Sequence, residues 1–325
     1  MTDTTSSHPD LEAGETSTLP PKRSDSRLLN ALQRPGTKAP KDALKAVYAA
    51  GVYKANLPLD ILLVQTFMAG FYIAMAGQFF LSVGGDFLGA AMFPVGLVAV
   101  VLTSGELFTG DALVFITAWL GQKVTSKQLA RNWTVAWLGN FVGALTWAAL
   151  LSYASDALHD KGQVELAIHI AQKKALQPWF HIFLKGIGAN AMVCLGIWMA
   201  TCSEEVAGKI LAIWFPTTGF VIMGFEHSIA NQYFLPLGMM LMAQHPEIEG
   251  PRITVQHLLF KALLPATLGN LVGGGIFIGA IYWYAFDSME SMNRVRERIG
   301  RAWSSRPHYH HKKQDPQEQA SQDSA

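Results

Sequence analysis

Six apolar runs fill the stretch between residues 57 and 286, and they decide what this chain can fold into. They extend from about Leu57 to Val83, Phe87 to Leu120, Asn132 to Tyr153, Pro178 to Thr201, Ala207 to Ala243 and His257 to Phe286. Each is at least as long as the roughly 20 helical residues that cross a hydrocarbon core of ~30 Å. In lipid a backbone must satisfy its own polar groups, so runs of this kind become helices. Composition agrees: half of the residues are hydrophobic and 15% are charged, against about 25% charged in a soluble domain. The expectation is an all-α membrane protein of six transmembrane helices.

Charge sets the orientation. Of the 25 Lys and Arg residues, eight precede residue 55 and seven follow residue 290. Basic flanks stay on the cytoplasmic side, so both ends are expected in the cytoplasm, as six crossings require. Lys123, Lys127 and Arg131 after the second run agree. Lys161, Lys173 and Lys174 after the third run do not, since six crossings put them outside. Residues 1–42 and 291–325 are polar and read as disordered cytoplasmic tails around a transport domain of residues 43–290. The N-terminal stretch lacks the apolar core of a signal peptide. His308, His310 and His311 read as part of a solvated basic tail rather than a metal site. Cys194 and Cys202 share one apolar run without CxxC spacing and read as inert. No cofactor is implied, and a net charge of +1 gives no reason to expect a nucleic-acid partner. Gln163 to Ala175 has the pattern of a short amphipathic helix on the outer surface.

Two halves repeat. Gly139-Asn140-Phe141-Val142-Gly143-Ala144 in the third run is echoed by Gly269-Asn270-Leu271-Val272-Gly273-Gly274 in the sixth. The second and fifth runs are too long for one straight crossing, and polar residues interrupt each near its middle. The interruptions are Thr103 to Asp111 and Gly224 to Asn231. Three spans followed by three spans place the halves in opposite orientation. Broken helices at matching positions of inverted halves point to a substrate site near the bilayer midplane.

The segments GELFTGD, RNWTVAWLGNFVGA, KGIGANAMVCLGIW, FPTTGFVIMGFEHSIANQYFLPLGM and LPATLGNLVGGG resemble, in order, the signature segments of the formate/nitrite transporter family. The polar tails and the GIGAN segment look most like its fungal nitrite branch. This resemblance implies an aquaporin-like fold with a pore in each protomer, and a homopentamer in the plasma membrane. It places His227 and Thr109 at the centre of the substrate pathway, with Asn190, Asn231 and Lys174 beside it. Phe93, Leu97, Leu107, Phe220 and Val193 take the positions of apolar constrictions. Lys174, at an outer mouth, would attract anions and account for the charge exception. Asp111 departs from the family, where this position is more often neutral; it is expected turned away from the pore or paired.

The physical problem in such a pore is charge, since an ionised group at the bilayer centre costs several kcal/mol or more. His227 is the titratable cation candidate at the midplane. Thr109, Ser228, Asn190 and Asn231 offer donors, and the helix N-termini at the breaks add partial positive charge. Two mechanisms follow: a protonated His227 draws the anion in, or the anion takes a proton and crosses as the neutral acid. The second is favoured. Glu106 and Glu226 are expected to be structural, held by backbone amides of the broken helices. The expected function is uptake of a small monovalent anion with protons, nitrite first. The alternatives are a formate or other short monocarboxylate channel or exporter and, more distantly, a neutral-solute aquaporin-like channel. The sequence lacks paired Asn-Pro-Ala loops and any HExxH or Ser-His-Asp arrangement, which argues against an aquaporin and against an enzyme.

Overall fold

The computed structural model describes residues 36–287, and among these every element is a helix, apart from an isolated bridge between Thr37 and Ser203. The expected terminal tails lie outside the described residues, except for 36–42. There the chain already enters a helix that the apolar runs do not announce, α1 (Pro40–Ala55). Pro40 occupies its first turn, where a missing N–H costs nothing. Ala43, Leu44, Val47, Tyr48, Gly51 and Ala55 give it one buried face.

Four helices are long and apolar enough to cross a membrane: α2 (Leu59–Ser82), α5 (Ser126–Ala154), α7 (Trp179–Cys202) and α10 (His257–Asp287). The second apolar run forms two shorter helices, α3 (Phe87–Leu102) and α4 (Phe108–Leu120). The fifth forms α8 (Val206–Ile222) and α9 (Ser228–Gln244). The second and fifth runs are therefore interrupted, as expected, though the breaks are tighter than the polar residues suggested. The first spans only Thr103 to Leu107, so that Thr109 and Asp111 are already helical; the second spans Met223 to His227. The amphipathic segment is α6 (Lys161–Ala175). It does not simply rest on a surface. Val164, Ala167, Ile168, Ala171 and Ala175 are buried, and Gly238 of α9 meets Ala171 directly.

Helices α1–α5 and α6–α10 thus form two matching sets of five. α1 packs on α4 as α6 packs on α9, and α2 lies along α5 as α7 lies along α10. The repeated glycines explain the last pairing. A Cβ on Gly143 would sit 2.0 Å from the Phe67 carbonyl oxygen, and one on Gly273 would sit 2.1 Å from that of Ile187. Only glycine allows such backbone contact. The second fragments cross over: α4 packs against α10 and α9 against α5, which interlocks the halves.

Candidate functional site

The two breaks are built alike. Ser104 and Gly224 occupy matching positions with φ of 59° and 64°. Each left-handed residue ends its helix, and the following amide bonds back to close the turn: Gly105 N to Val100 O at 2.8 Å, Phe225 N to Phe220 O at 3.1 Å. The next amides leave their own helices altogether. Glu106 N donates to Gln65 O, and Glu226 N to Lys185 O. Each break is then held by the repeated asparagine. Asn140 Oδ1 accepts from Phe108 N at 2.9 Å, while its Nδ2 donates to the Thr66 and Glu106 carbonyls. Asn270 Oδ1 accepts from Ser228 N at 2.8 Å, and its Nδ2 donates to the Gly186 and Glu226 carbonyls. One side chain on a full-length helix therefore caps a broken one and satisfies carbonyls that lipid depth would leave orphaned.

His227 sits where the second break turns into α9 and is 2% exposed. Its Nδ1 accepts from Ala230 N at 3.1 Å, making it the N-cap of that helix. Its Nε2 lies 2.9 Å from Thr109 Oγ1 of α4, so the two breaks touch through this pair. Its ring stacks on Phe220, 5.7 Å between centroids, and Phe220 meets Phe93 edge-on at 6.1 Å. Leu107, the matching residue of the first break, caps α4 with no side-chain bond.

Around this centre lie three cavities in series. A chamber of about 10 Å³ is walled by Ile73, Phe93, Leu97, Leu107, Val193, Thr217, Phe220 and His227. That volume holds about one water. Phe93, Phe220 and His227 also face a cavity of about 320 Å³ that contains Lys173, Lys174 and Glu226. Leu107 also faces a cavity of about 270 Å³ that contains Lys54, Glu106 and Asp111. The five residues read as constrictions therefore share one chamber between two wider cavities.

The remaining residues of the expected pathway are placed differently. Asn190 donates to the Thr109 carbonyl at 3.0 Å and to the Asn270 carbonyl at 2.7 Å, tying α4 to α10. Asn231 donates to Glu226 Oε2 at 2.9 Å. Like Thr109, neither is among the residues lining these three cavities; both Nδ2 groups are spent inside the protein, while Asn231 Oδ1 is buried without a hydrogen-bond partner among the described residues. Lys174 does face the larger cavity, yet its Nζ is 2.9 Å from Glu226 Oε2, so its charge is matched. The two acids are not held by backbone amides as expected. Glu226 is bound by Lys174, Gln177 and Asn231, and Glu106 by Lys54 at 2.7 Å and Asn132 at 3.2 Å. The amides are already committed to the carbonyls of α2 and α7, which leaves side chains to neutralise the carboxylates. Asp111 is paired, with Lys54 at 2.9 Å.

Lys54 escaped the sequence reading. Its signal is the repeat itself: Lys54 precedes Lys174 by the same interval that separates Glu106 from Glu226. Among the described residues no group of His, Cys, Asp and Glu is arranged to hold a metal ion.

Helices broken in pairs, with a narrow, largely apolar chamber between two charged cavities, define a helical membrane channel or transporter. Residues 41–284 match the formate/nitrite transporter family, and the chain belongs to that family. It is 35% identical over 275 residues to a probable formate transporter of Methanothermobacter thermautotrophicus, covering 77% of this chain and 97% of that protein. It is 34% identical over 265 residues to formate-nitrite transporter 3 of Toxoplasma gondii, covering 76% of this chain but 51% of the relative, so the chain spans about half that protein's length. A solved pentameric formate channel with formate bound has a TM-score of 0.59 and 29% identity to it, covering 70% of this chain and 97% of that one.

Proposed function

We propose that this chain carries nitrite into the cell together with a proton, through a pore in each protomer of a homopentamer in the plasma membrane. In this reading each broken pair counts as one crossing, giving six in all. Both ends then lie in the cytoplasm, the Lys54 cavity opens inward and the Lys174 cavity outward.

The observation that carries the mechanism is the capping bond of His227. Because Nδ1 accepts the Ala230 amide, that nitrogen needs its lone pair, and the neutral ring then carries its hydrogen on Nε2. Nε2–H donates to Thr109 Oγ1, which leaves the threonine hydroxyl hydrogen available to another acceptor. A doubly protonated ring would set an N–H against the Ala230 N–H and forfeit the cap. The arrangement thus favours a neutral imidazole, and with it the second of the two mechanisms. A weak acid anion drawn into the outer cavity loses water at the Phe93–Phe220 constriction. Loss of water favours its neutral form, so it takes a proton from the cavity water and crosses as the acid. Thr109, oriented by His227, offers it a hydrogen bond on the way.

Nitrite is preferred to formate on the GIGAN segment and the polar tails, which resemble the nitrite branch. Formate is the second reading, supported by the formate-bound relative. Uptake of labelled nitrite into proteoliposomes, with formate as competitor and an internal pH dye, tests both points. Expected are nitrite uptake that acidifies the lumen, weaker competition by formate, and loss of both signals in Thr109→Val. Nitrite current without proton movement would overturn the coupling, and stronger transport of formate would overturn the choice of anion.

A further inference from the structure

The two wide cavities are related by the repeat, but their charges do not match. In the outer one Lys174 meets a single carboxylate, Glu226, and the position corresponding to Asp111 is the neutral Asn231. In the inner one Lys54 meets two, Glu106 and Asp111, each about 1% exposed. Both oxygens of Glu106 are occupied, by Lys54 and Asn132. Asp111 Oδ1 is occupied by Lys54, but its Oδ2 is buried and has no hydrogen-bond partner among the described residues.

The surroundings supply nothing that would compensate it. α1 brings Lys54 and Tyr53, and the break brings Ser104 and Glu106. α5 brings Asn132, bonded to Glu106, and the Trp133 indole, which donates to the Asp111 carbonyl rather than its carboxylate. α7 brings Ile197, Thr201 and Cys194, whose thiol turns to the Thr109 carbonyl. α10 meets this part of α4 through Gly274 and Gly275. One ammonium cannot fully balance two buried carboxylates, and like charges so close do not both stay ionised at ease. A proton on Oδ2 would neutralise the cluster and turn an acceptor without a donor into a donor.

We propose that Asp111 is a proton-binding site of the inner cavity, taking its proton on Oδ2 from the inner solution, so that the inner mouth changes charge with pH through a second buried carboxylate that the outer mouth lacks. This rests on the proposed anion transport and extends it. When the interior is alkaline the cavity holds one excess negative charge and releases an arriving anion. When the interior is acidic the cluster is neutral and the anion lingers.

Two measurements on the full chain decide it. In proteoliposomes with clamped potential and fixed outer pH, the inner half-saturation concentration for nitrite is followed as the lumen goes from acid to alkaline. Wild type should show a rise of about threefold to tenfold, the effect of one charge at cavity distance. Asp111→Asn should stay at the acid value, and the outer half-saturation should not move in either. Independently, infrared difference spectra of the detergent-solubilised protein should show a buried carboxylic acid band at acid pH. Carbon-13 labelling of aspartate should shift it, since Asp111 is the one buried aspartate among the described residues. The band should be missing from Asp111→Asn. An unlabelled-like band in aspartate-labelled protein, no band at all, or the same lumenal pH dependence in Asp111→Asn overturns the proposal. If neither nitrite nor formate moves, the transport function fails, and the infrared band alone decides the proton site.

Discussion

His227 does two things with one ring, and the two are separable by substitution. Nδ1 caps α9, and Nε2 reaches Thr109 of α4. Asparagine at an N-cap offers a side-chain oxygen to the same amide, but its shorter side chain does not extend to Thr109. His227→Asn should therefore assemble with near-normal thermal stability and lose nitrite uptake by at least about tenfold, the scale of one hydrogen bond in a dry site. His227→Ala should lose uptake as well and be about 1 kcal/mol less stable, as for an uncapped helix. Thermal unfolding in detergent beside uptake in vesicles separates the two roles. Full uptake by the asparagine variant would leave the ring with a capping role alone.

At the level of elements, the breaks depend on residues that a span count passes over. Asn140 makes three buried hydrogen bonds, one to an amide and two to carbonyls, on two different stretches of chain. Asn140→Ala leaves all three partners without it, each worth about 1–3 kcal/mol when buried. Neither Asp nor Leu restores the two donations from Nδ2. We expect Asn140→Ala and Asn140→Asp to yield little folded oligomer by size-exclusion chromatography, with Asn270→Ala behaving alike because the second break is wired the same way. Normal yield from either alanine variant would show that the caps are dispensable. The repeat around these asparagines was legible in the sequence, together with both interruptions, because glycine and polar residues in mid-membrane are costly unless the helix breaks or packs closely there. What the asparagines hold was not legible, since their partners are backbone groups on distant helices and carry no sequence signal. α1 was hidden for a related reason. Its buried face is made largely of alanine, glycine and single aliphatics, too weak a pattern to stand out beside the long apolar runs. The partners of Asn190 and Asn231 were not legible either, because an amide at membrane depth serves a pore wall or a helix joint equally well.

For the molecule as a whole, the question is which charge an anion outside feels. On the proposed orientation Lys174 is the natural candidate, yet it is locked to Glu226, and a neutral pair attracts little at a distance. Lys173 lines the same cavity and is exposed, so the long-range attraction belongs to Lys173. Lys173→Glu should lower nitrite uptake about threefold at low ionic strength and little at high salt, since exposed charges are screened beyond ~10 Å at 0.1 M. Lys174→Met should act differently. It strips Glu226 of its cation and leaves a buried carboxylate facing the incoming anion, with a loss of about tenfold or more that salt does not relieve, because buried charges are poorly screened. Lys174→Met combined with Glu226→Gln removes both charges and should recover much of the uptake. The recovery separates a lysine that neutralises its neighbour from one that binds the anion itself: if the double variant stays as inactive as Lys174→Met at every salt concentration, the ammonium is a ligand for the passing anion, and the outer cavity works by capture rather than by charge balance.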